Sequence, residues 1–186
     1  MGPELSLGPT QRLDFEPCSR SHARLVTQIF EEIAPLTRLL GPPRSAADIA
    51  AEYVGEPDVP PGGSAAFVVS AVVRVRETGA CAGVLQLYRG YPDAGTLWIG
   101  GLFLRPGWQG RGRGSEVVDH LGDRARDAGY HSLGAGVGLK NWPALRFWVG
   151  RGFTQVKSVV GDREHGPERF ADMGLLRRLD GRVPSS

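Results

Sequence analysis

The stretch that most constrains this chain is LFLRPGWQGRGRGSEVVDHLGDRARDAG, residues 102–129. An apolar strand ending at Leu102, Phe103 and Leu104 runs into a glycine-studded turn: Gln109, Gly110, Arg111, Gly112, Arg113, Gly114. An amphipathic helix follows at once. Its apolar side is set by Val117, Leu121 and Ala125 at i, i+4 and i+8, with Val118 beside them. Its wet side carries Glu116, Asp119, Asp123, Arg126 and Asp127. Ser115 and Glu116 suit the N-terminal end, and Gly129 suits the stop. Three glycines in five positions let the backbone curl with its N–H groups inward. The first helical turn adds unpaired donors and the positive end of the helix dipole. Arg111 and Arg113 add two full charges, so the turn reads as a pocket for phosphate or pyrophosphate.

Two familiar glycine loops are excluded. A Walker loop needs a Gly-Lys-Ser/Thr ending, which is missing, and the spacing from Gly110 or Gly112 breaks the dinucleotide fingerprint G-x-G-x-x-G. What fits is Gln-x-x-Gly-x-Gly, at Gln109, Gly112 and Gly114. A second stretch, NWPALRFWVGRGF over residues 141–153, reads as a short helix. Asn141 is its N-cap, Pro143 sits in the permitted first turn and Gly152 is the stop. Together the two motifs resemble the GNAT superfamily of N-acetyltransferases. The first matches that superfamily's acyl-coenzyme A loop. The second matches its later motif, with Asn141, Ala144, Phe147, Gly152 and Phe153 at the expected spacing. The resemblance spans at least residues 96–153.

Composition sets the frame for that resemblance. A chain of 186 residues with 41% hydrophobic and 23% charged residues is an ordinary globule with room for a real core. A net charge of +2 argues for neither nucleic acid nor membrane. Cys18 and Cys81 are too few for a disulfide framework, which favours a reducing compartment. The N-terminus shows no signal pattern and no apolar run reaches a membrane span, so the expected location is cytoplasmic. Lys140 and Lys157 are the two lysines among 22 basic residues, a bias that points to a GC-rich, bacterial genome.

Read in order, residues 1–11 are expected to be a flexible lead-in, 12–180 an N-acetyltransferase domain and 181–186 a flexible tail. Residues 12–18 read as a strand and 21–34 as a helix on Leu25, Ile29 and Ile33, ended by Pro35. A second helix spans 45–54 with Ser45 as N-cap and Ile49 and Tyr53 facing inward. Residues 55–64 are a Pro/Gly-rich loop. Strands follow at 65–76, 81–88 and 96–104, then at 131–139, 153–160 and 170–179. Gly100 and Gly101 inside the third of these mark a bulge or a close backbone approach. The resemblance implies an α/β (α+β), single-domain GNAT-like fold. Its mixed, mostly antiparallel sheet would have a bulged central strand, splayed to admit the pantetheine arm, and about four helices.

The resemblance also implies the chemistry: attack of an acceptor amine on the thioester of acetyl-CoA, the co-substrate. Gly110, Arg111, Gly112, Arg113, Gly114 and Ser115 would hold the pyrophosphate, and Leu102, Phe103 and Leu104 would offer strand backbone to the pantetheine amides. A backbone N–H of that strand would meet the developing oxyanion. Gln109 stands where the family often has Arg, so Arg111 and Arg113 must supply the positive field. Asn141, Ala144, Phe147 and Trp148 would flank the donor arm.

The proton carriers depart from the family pattern. Trp148 stands where a Tyr general acid is frequent, and an indole N–H cannot deliver a proton. Trp98, eleven residues before Gln109, stands where some members carry a Glu base. General acid catalysis is worth about a hundred- to ten-thousandfold, yet a thiol of pKa near ~8.5 can leave as thiolate. Tyr88, Asp93, His131 and water are all candidate bases, and the sequence does not choose between them. Trp98 and Trp148, together with Trp142 or Phe103, would line an aromatic acceptor pocket, against the alternative that these rings are core. The Glu31-Glu32 pair, before a proline-rich loop, reads as a solvated helix face, and the resemblance, in which the first two helices border the acceptor site, makes Glu31 a candidate for amine capture.

His22, His120, His131 and His165 have no metal-ligand spacing, and no metal is expected. Cys81 reads as core. The expected partner is a small-molecule amine, with no nucleic acid and no membrane, and the resemblance implies a homodimer. Two rival readings are a catalytically weak acyl-CoA-binding module, motivated by the missing proton carriers, and a protein N-acetyltransferase. A nucleic-acid-associated protein is favoured only by the short Arg-Gly run.

Overall fold

Alternation of apolar residues on both faces makes the middle of the chain a sheet that must be covered on two sides. The computed structural model describes residues 4–164 and 166–179. The expected tail 181–186 and His165 lie outside the described residues. The chain runs β1 (Leu13–Pro17), α1 (Ala23–Glu32), α2 (Ala34–Thr37), α3 (Ala46–Val54), β2 (Val68–Val75), β3 (Cys81–Arg89) and β4 (Thr96–Leu104). It continues through α4 (Arg113–Asp127), β5 (Ser132–Gly138), α5 (Trp142–Gly150), β6 (Gln155–Gly161) and β7 (Ala171–Arg178). The strands form one sheet in the order β1-β2-β3-β4-β5-β7-β6. Every pairing is antiparallel except β4 with β5.

Neighbouring residues in the central strands feed opposite layers. Leu85, Leu87, Leu97 and Ile99 join Val117, Leu121, Trp148 and Phe153 in the core under α4 and α5. Val72 and Val84 join Val26, Ile29, Phe30 and Tyr53 under α1 and α3. Complete burial of a side chain such as Phe30 or Phe153 contributes roughly 2–3 kcal/mol.

The helix expected over 21–34 resolves into two pieces. Ile33, at φ −103° and ψ 16°, breaks α1, and Pro35 then takes the first turn of α2, where its missing N–H costs nothing. The expected caps are in place: the Ser45 side chain accepts from the Asp48 N–H, and Asn141 Oδ1 accepts from the Ala144 N–H at 3.2 Å. Ile49 is half-buried, whereas Ala50 and Tyr53 carry the buried side of α3. Of the lead-in, residues 4–11 run against α4. Leu5 and Leu7 pack on the core, Thr10 Oγ1 donates to Glu116 at 2.5 Å, and Arg12 Nε does so at 2.6 Å. Glu116, read as solvated from its helical position, is therefore tied down by the chain that precedes β1.

Candidate active site

The sheet opens at its centre. β4 pairs with β5 over four residues, Thr96↔Ser132 to Ile99↔Ala135. β4 stays on β3 as far as Leu104, while β5 stays on β7 as far as Gly138. The cause is local. The β3–β4 register slips between Gln86↔Gly101 and Leu87↔Ile99, which leaves Gly100 as an extra residue. A bulge of this kind bends its strand. The bulge expected at Gly100 and Gly101 is thus the point where the two parallel strands part. The backbone of Leu102, Phe103 and Leu104, beyond that point, has no β5 partner among the described residues.

On one side of the opening lies the glycine loop. Gly110 and Gly112 have φ of 67° and 73°, in the left-handed region where side chains are strained. Gly112 is the N-cap of α4 and offers no side chain to its first turn, so those N–H groups are left for another acceptor. Gly114 lets the helix close on α5: a Cβ there would lie 3.3 Å from the Phe147 ring. Gln109 donates its amide to the Leu104 carbonyl at 2.7 Å and fastens the loop to the strand end. The Arg113 guanidinium stacks over Trp108 at 4.5 Å, and its Nε is buried without a hydrogen-bond partner. Arg111 is exposed. Uncapped amides, an orphaned guanidinium N–H and no side chain in the way make a cradle that fits a pyrophosphate.

On the other side lies a cavity of about 460 Å³ whose lining includes Gly100 and Gly136, the first residues past the last β4–β5 pair. Trp98 forms part of its wall. A Cβ on Gly134 would lie 2.3 Å from the indole Cε3, one on Gly136 3.5 Å from Cζ2, and one on Gly174 3.4 Å from Cη2. The ring lies over glycines of both β5 and β7. Tyr91 meets it edge-on, with centroids 5.1 Å apart at 86°. Gln86 points at the bulge: its Oε1 is 3.5 Å from where a Gly100 Cβ would stand. Its amide nitrogen donates to the Glu52 carbonyl at 2.9 Å and contacts Ser70 Oγ at 3.2 Å, which fixes Oε1 as the end facing the opening. Asp172 also lines the cavity, and desolvation there pushes its carboxyl above the ordinary 3.8.

The sequence model of the acetyltransferase (GNAT) family matches residues 43–153, which contain the loop, the opening and most of the cavity wall. The chain belongs to this family. It is an acyltransferase, and GNAT acetyltransferases use acetyl-CoA. No curated protein matches the sequence. Among solved structures it is similar to an acetyltransferase from Thermus thermophilus, at TM-score 0.67 and 20% identity over 91% of this chain and 99% of that one. It is also similar to an acetyl transferase from Salmonella typhimurium that modifies the N-terminal serine of a 50S ribosomal subunit protein, at TM-score 0.71 and 16% identity over 95% and 99%. A spermidine N-acetyltransferase chimera from Vibrio cholerae aligns at TM-score 0.64 and 12% identity over 91% and 96%.

Within this GNAT fold the remaining sequence-chosen residues fall in different places. Of the three candidate bases, Tyr88 lines the cavity, and its hydroxyl accepts the Ser64 N–H at 3.0 Å. Asp93 and His131 are 3.6 Å apart at the closed end of the β4–β5 pair, about 13 Å of strand from the opening. Asp93 caps the turn there by accepting from the Gly95 N–H at 2.9 Å. Trp148 is 8% exposed, packs edge-on between Phe147 and Phe153 and does not line the cavity, so it forms no aromatic pocket with Trp98. Trp142 is 69% exposed on α5, and Phe103 packs on Phe30, so neither stands beside Trp98. Glu31 is exposed on α1 and does not line the cavity. Ala144 is half-buried on α5. Burial pushes the Cys81 thiol up, away from a reactive thiolate. Gln86, Tyr91 and Asp172 were missed by sequence reasoning. Period-two alternation puts Gln86 on the same face of the sheet as Trp98, but nothing local connects the two to Asp172.

Proposed function

We propose that this protein moves an acetyl group from acetyl-CoA to the amine of a small-molecule acceptor by direct attack. The observation that carries the proposal is that the glycine cradle and the cavity meet at one opening, the parting of β4 and β5. When bound, acetyl-CoA supplies an acyl carbon activated as a thioester. The first-turn amides of α4, with Arg111 and Arg113, bind and neutralise the diphosphate. Backbone groups of Leu102, Phe103 and Leu104 serve as an open strand edge for the amides of the pantetheine arm. Gln86 Oε1 accepts a hydrogen bond from the amine N–H and aims the nitrogen lone pair toward the opening, which lowers the entropy cost of attack. Tyr88 is the candidate for relaying the proton that the amine loses on attack out to water in the cavity. The thiol leaves as thiolate without an acid on α5, because its ordinary pKa is near ~8.5.

Solved relatives are named for both a spermidine and a protein N-terminus as acceptor, so likeness leaves the acceptor open. The cavity favours the small molecule, because a half-open cleft of about 460 Å³ suits a compact amine. Release of free thiol across a panel of amines tests the proposal. Turnover of at least one small amine is the expected result. Acetyl-CoA binding with no turnover of any small amine, but with acetylation of a peptide N-terminus, would replace it with the protein-directed reading. Binding with no turnover at all would mark an acyl-CoA-binding module.

A further inference from the structure

The cavity has a charge pattern opposite to that of the whole chain. The protein carries a net charge of +2, yet among the described residues the charged ones lining the cavity are Glu52, Asp58 and Asp172, with no lysine or arginine. Glu52 is ion-paired to Arg44. The same Arg44 charge also acts on Asp58, whereas the Asp172 carboxylate lines the cavity with no hydrogen bond or ion pair among the described residues. The same cavity is lined by Trp98 and Tyr91, whose rings meet at a right angle. The negative face of an aromatic ring attracts a cation, and an indole does so best.

The reacting nitrogen is not what this pattern holds. An amine attacks only as the neutral base, and a carboxylate beside it would stabilise the ammonium form instead. A positive group elsewhere on the acceptor has the opposite effect: it stays charged, is held by the acids and the ring faces, and makes its neighbouring ammonium lose a proton more readily. We infer that the acceptor carries a second cationic centre, seated against Trp98, Tyr91 and Asp172, while its reacting amine reaches Gln86 and the β4–β5 opening. This rests on the reading of the cavity as the acceptor site. It names the substrate class as dicationic amines and excludes amino acids that present a carboxylate at that end.

The test compares three acceptors of one chain length, 1,4-diaminobutane, butylamine and 4-aminobutyrate, by thiol release with the full chain and saturating acetyl-CoA. Asp58 is exposed and Asp172 is only partly desolvated, so screening sets the effect at about tenfold rather than more. Expected is a kcat/KM for the diamine about tenfold above butylamine, beyond the twofold that its two equivalent amines supply, with 4-aminobutyrate the poorest of the three. Asp172→Asn, and separately Asp58→Asn, should bring the diamine-to-butylamine ratio down toward two. A wild-type ratio near two, a preference for 4-aminobutyrate, or a ratio untouched in both variants overturns the inference. Calorimetric titration of the diamine against butylamine makes the same comparison without turnover. Equal affinities there overturn the inference by themselves. Tenfold tighter diamine binding without transfer upholds it and faults the catalytic reading instead.

Discussion

Gly134→Ala separates the two halves of the site. A methyl built on Gly134 would stand 2.3 Å from Trp98 Cε3 and 2.7 Å from Cζ3. Carbon atoms rest about 3.5–4.0 Å apart, so the indole must lift by more than about 1 Å. β5 is held by β4 and β7 and cannot retreat, which leaves the cavity as the direction of movement. Overpacking of this size costs about 1–3 kcal/mol, or a fall in Tm of roughly 2–12 °C for a chain of this length. The displaced ring invades the acceptor side only, since the glycine loop lies across the opening from it. Thermal melts, acetyl-CoA calorimetry and acceptor kinetics on the same preparation make the assay. Expected are the lower Tm, an unchanged acetyl-CoA Kd and an acceptor kcat/KM reduced about tenfold or more, if the ring shift costs the acceptor about 1.4 kcal/mol. Gly136→Ala is the packing control: its methyl would stand at an ordinary 3.5 Å from the same ring, so its Tm should hold or rise. Equal destabilisation by both changes, or a weakened acetyl-CoA affinity in Gly134→Ala, would refute the placement of Trp98.

Three further outcomes follow from the same geometry. Gly112→Ala forces an L-residue to φ 73° and should cost about 1 kcal/mol of stability while weakening acetyl-CoA binding severalfold; an unchanged Kd would show that the curl of the loop is not what holds the diphosphate. Asn141→Ala removes the cap on Ala144 N–H and should lower stability by about 1 kcal/mol, read as a shifted denaturant midpoint at constant slope. The Glu116 carboxyl is raised by burial but lowered more by its bonds from Thr10 and Arg12, so it ends below its ordinary 4.5. A depressed folded pKa gives stability that is complete above 4.5 and is lost as pH falls through the folded value. Glu116→Gln should therefore lower Tm at neutral pH and flatten the acid limb of the stability profile, and an unchanged limb would contradict the pairing.

The parts of this molecule legible in its sequence are those decided within a few residues. β4 begins and ends where alternation puts it, at Thr96 and Leu104, and the glycine pair marks its bulge because an extra residue in a ladder is a local event. Ser45 and Asn141 announce their helices for the same reason, since a cap acts within one turn, whereas α4, read as starting at Ser115, begins two residues earlier at Arg113 because Gly112 caps it without a side chain. Pro35 was half legible. It signals a break, but the same ring suits a first turn, and the chain resumes as α2. The acceptor side was hidden because it is tertiary. Trp98 on β4 lies over Gly134 of β5 and Gly174 of β7, residues far apart in the chain whose smallness reads as noise until the strands are ordered. Trp148 shows the converse. Its place in the motif suggested a role at the donor arm, while the ring itself is packed between Phe147 and Phe153.

The central claim is that the uncapped amides and arginines between β4 and α4 grip the diphosphate of acetyl-CoA, and titration calorimetry of the full chain with acetyl-CoA measures it most directly. The account predicts one saturable site whose affinity falls as salt is raised and falls again in Gly112→Ala. Absence of heat and of any thermal shift, or affinity indifferent to both salt and the loop substitution, would contradict it.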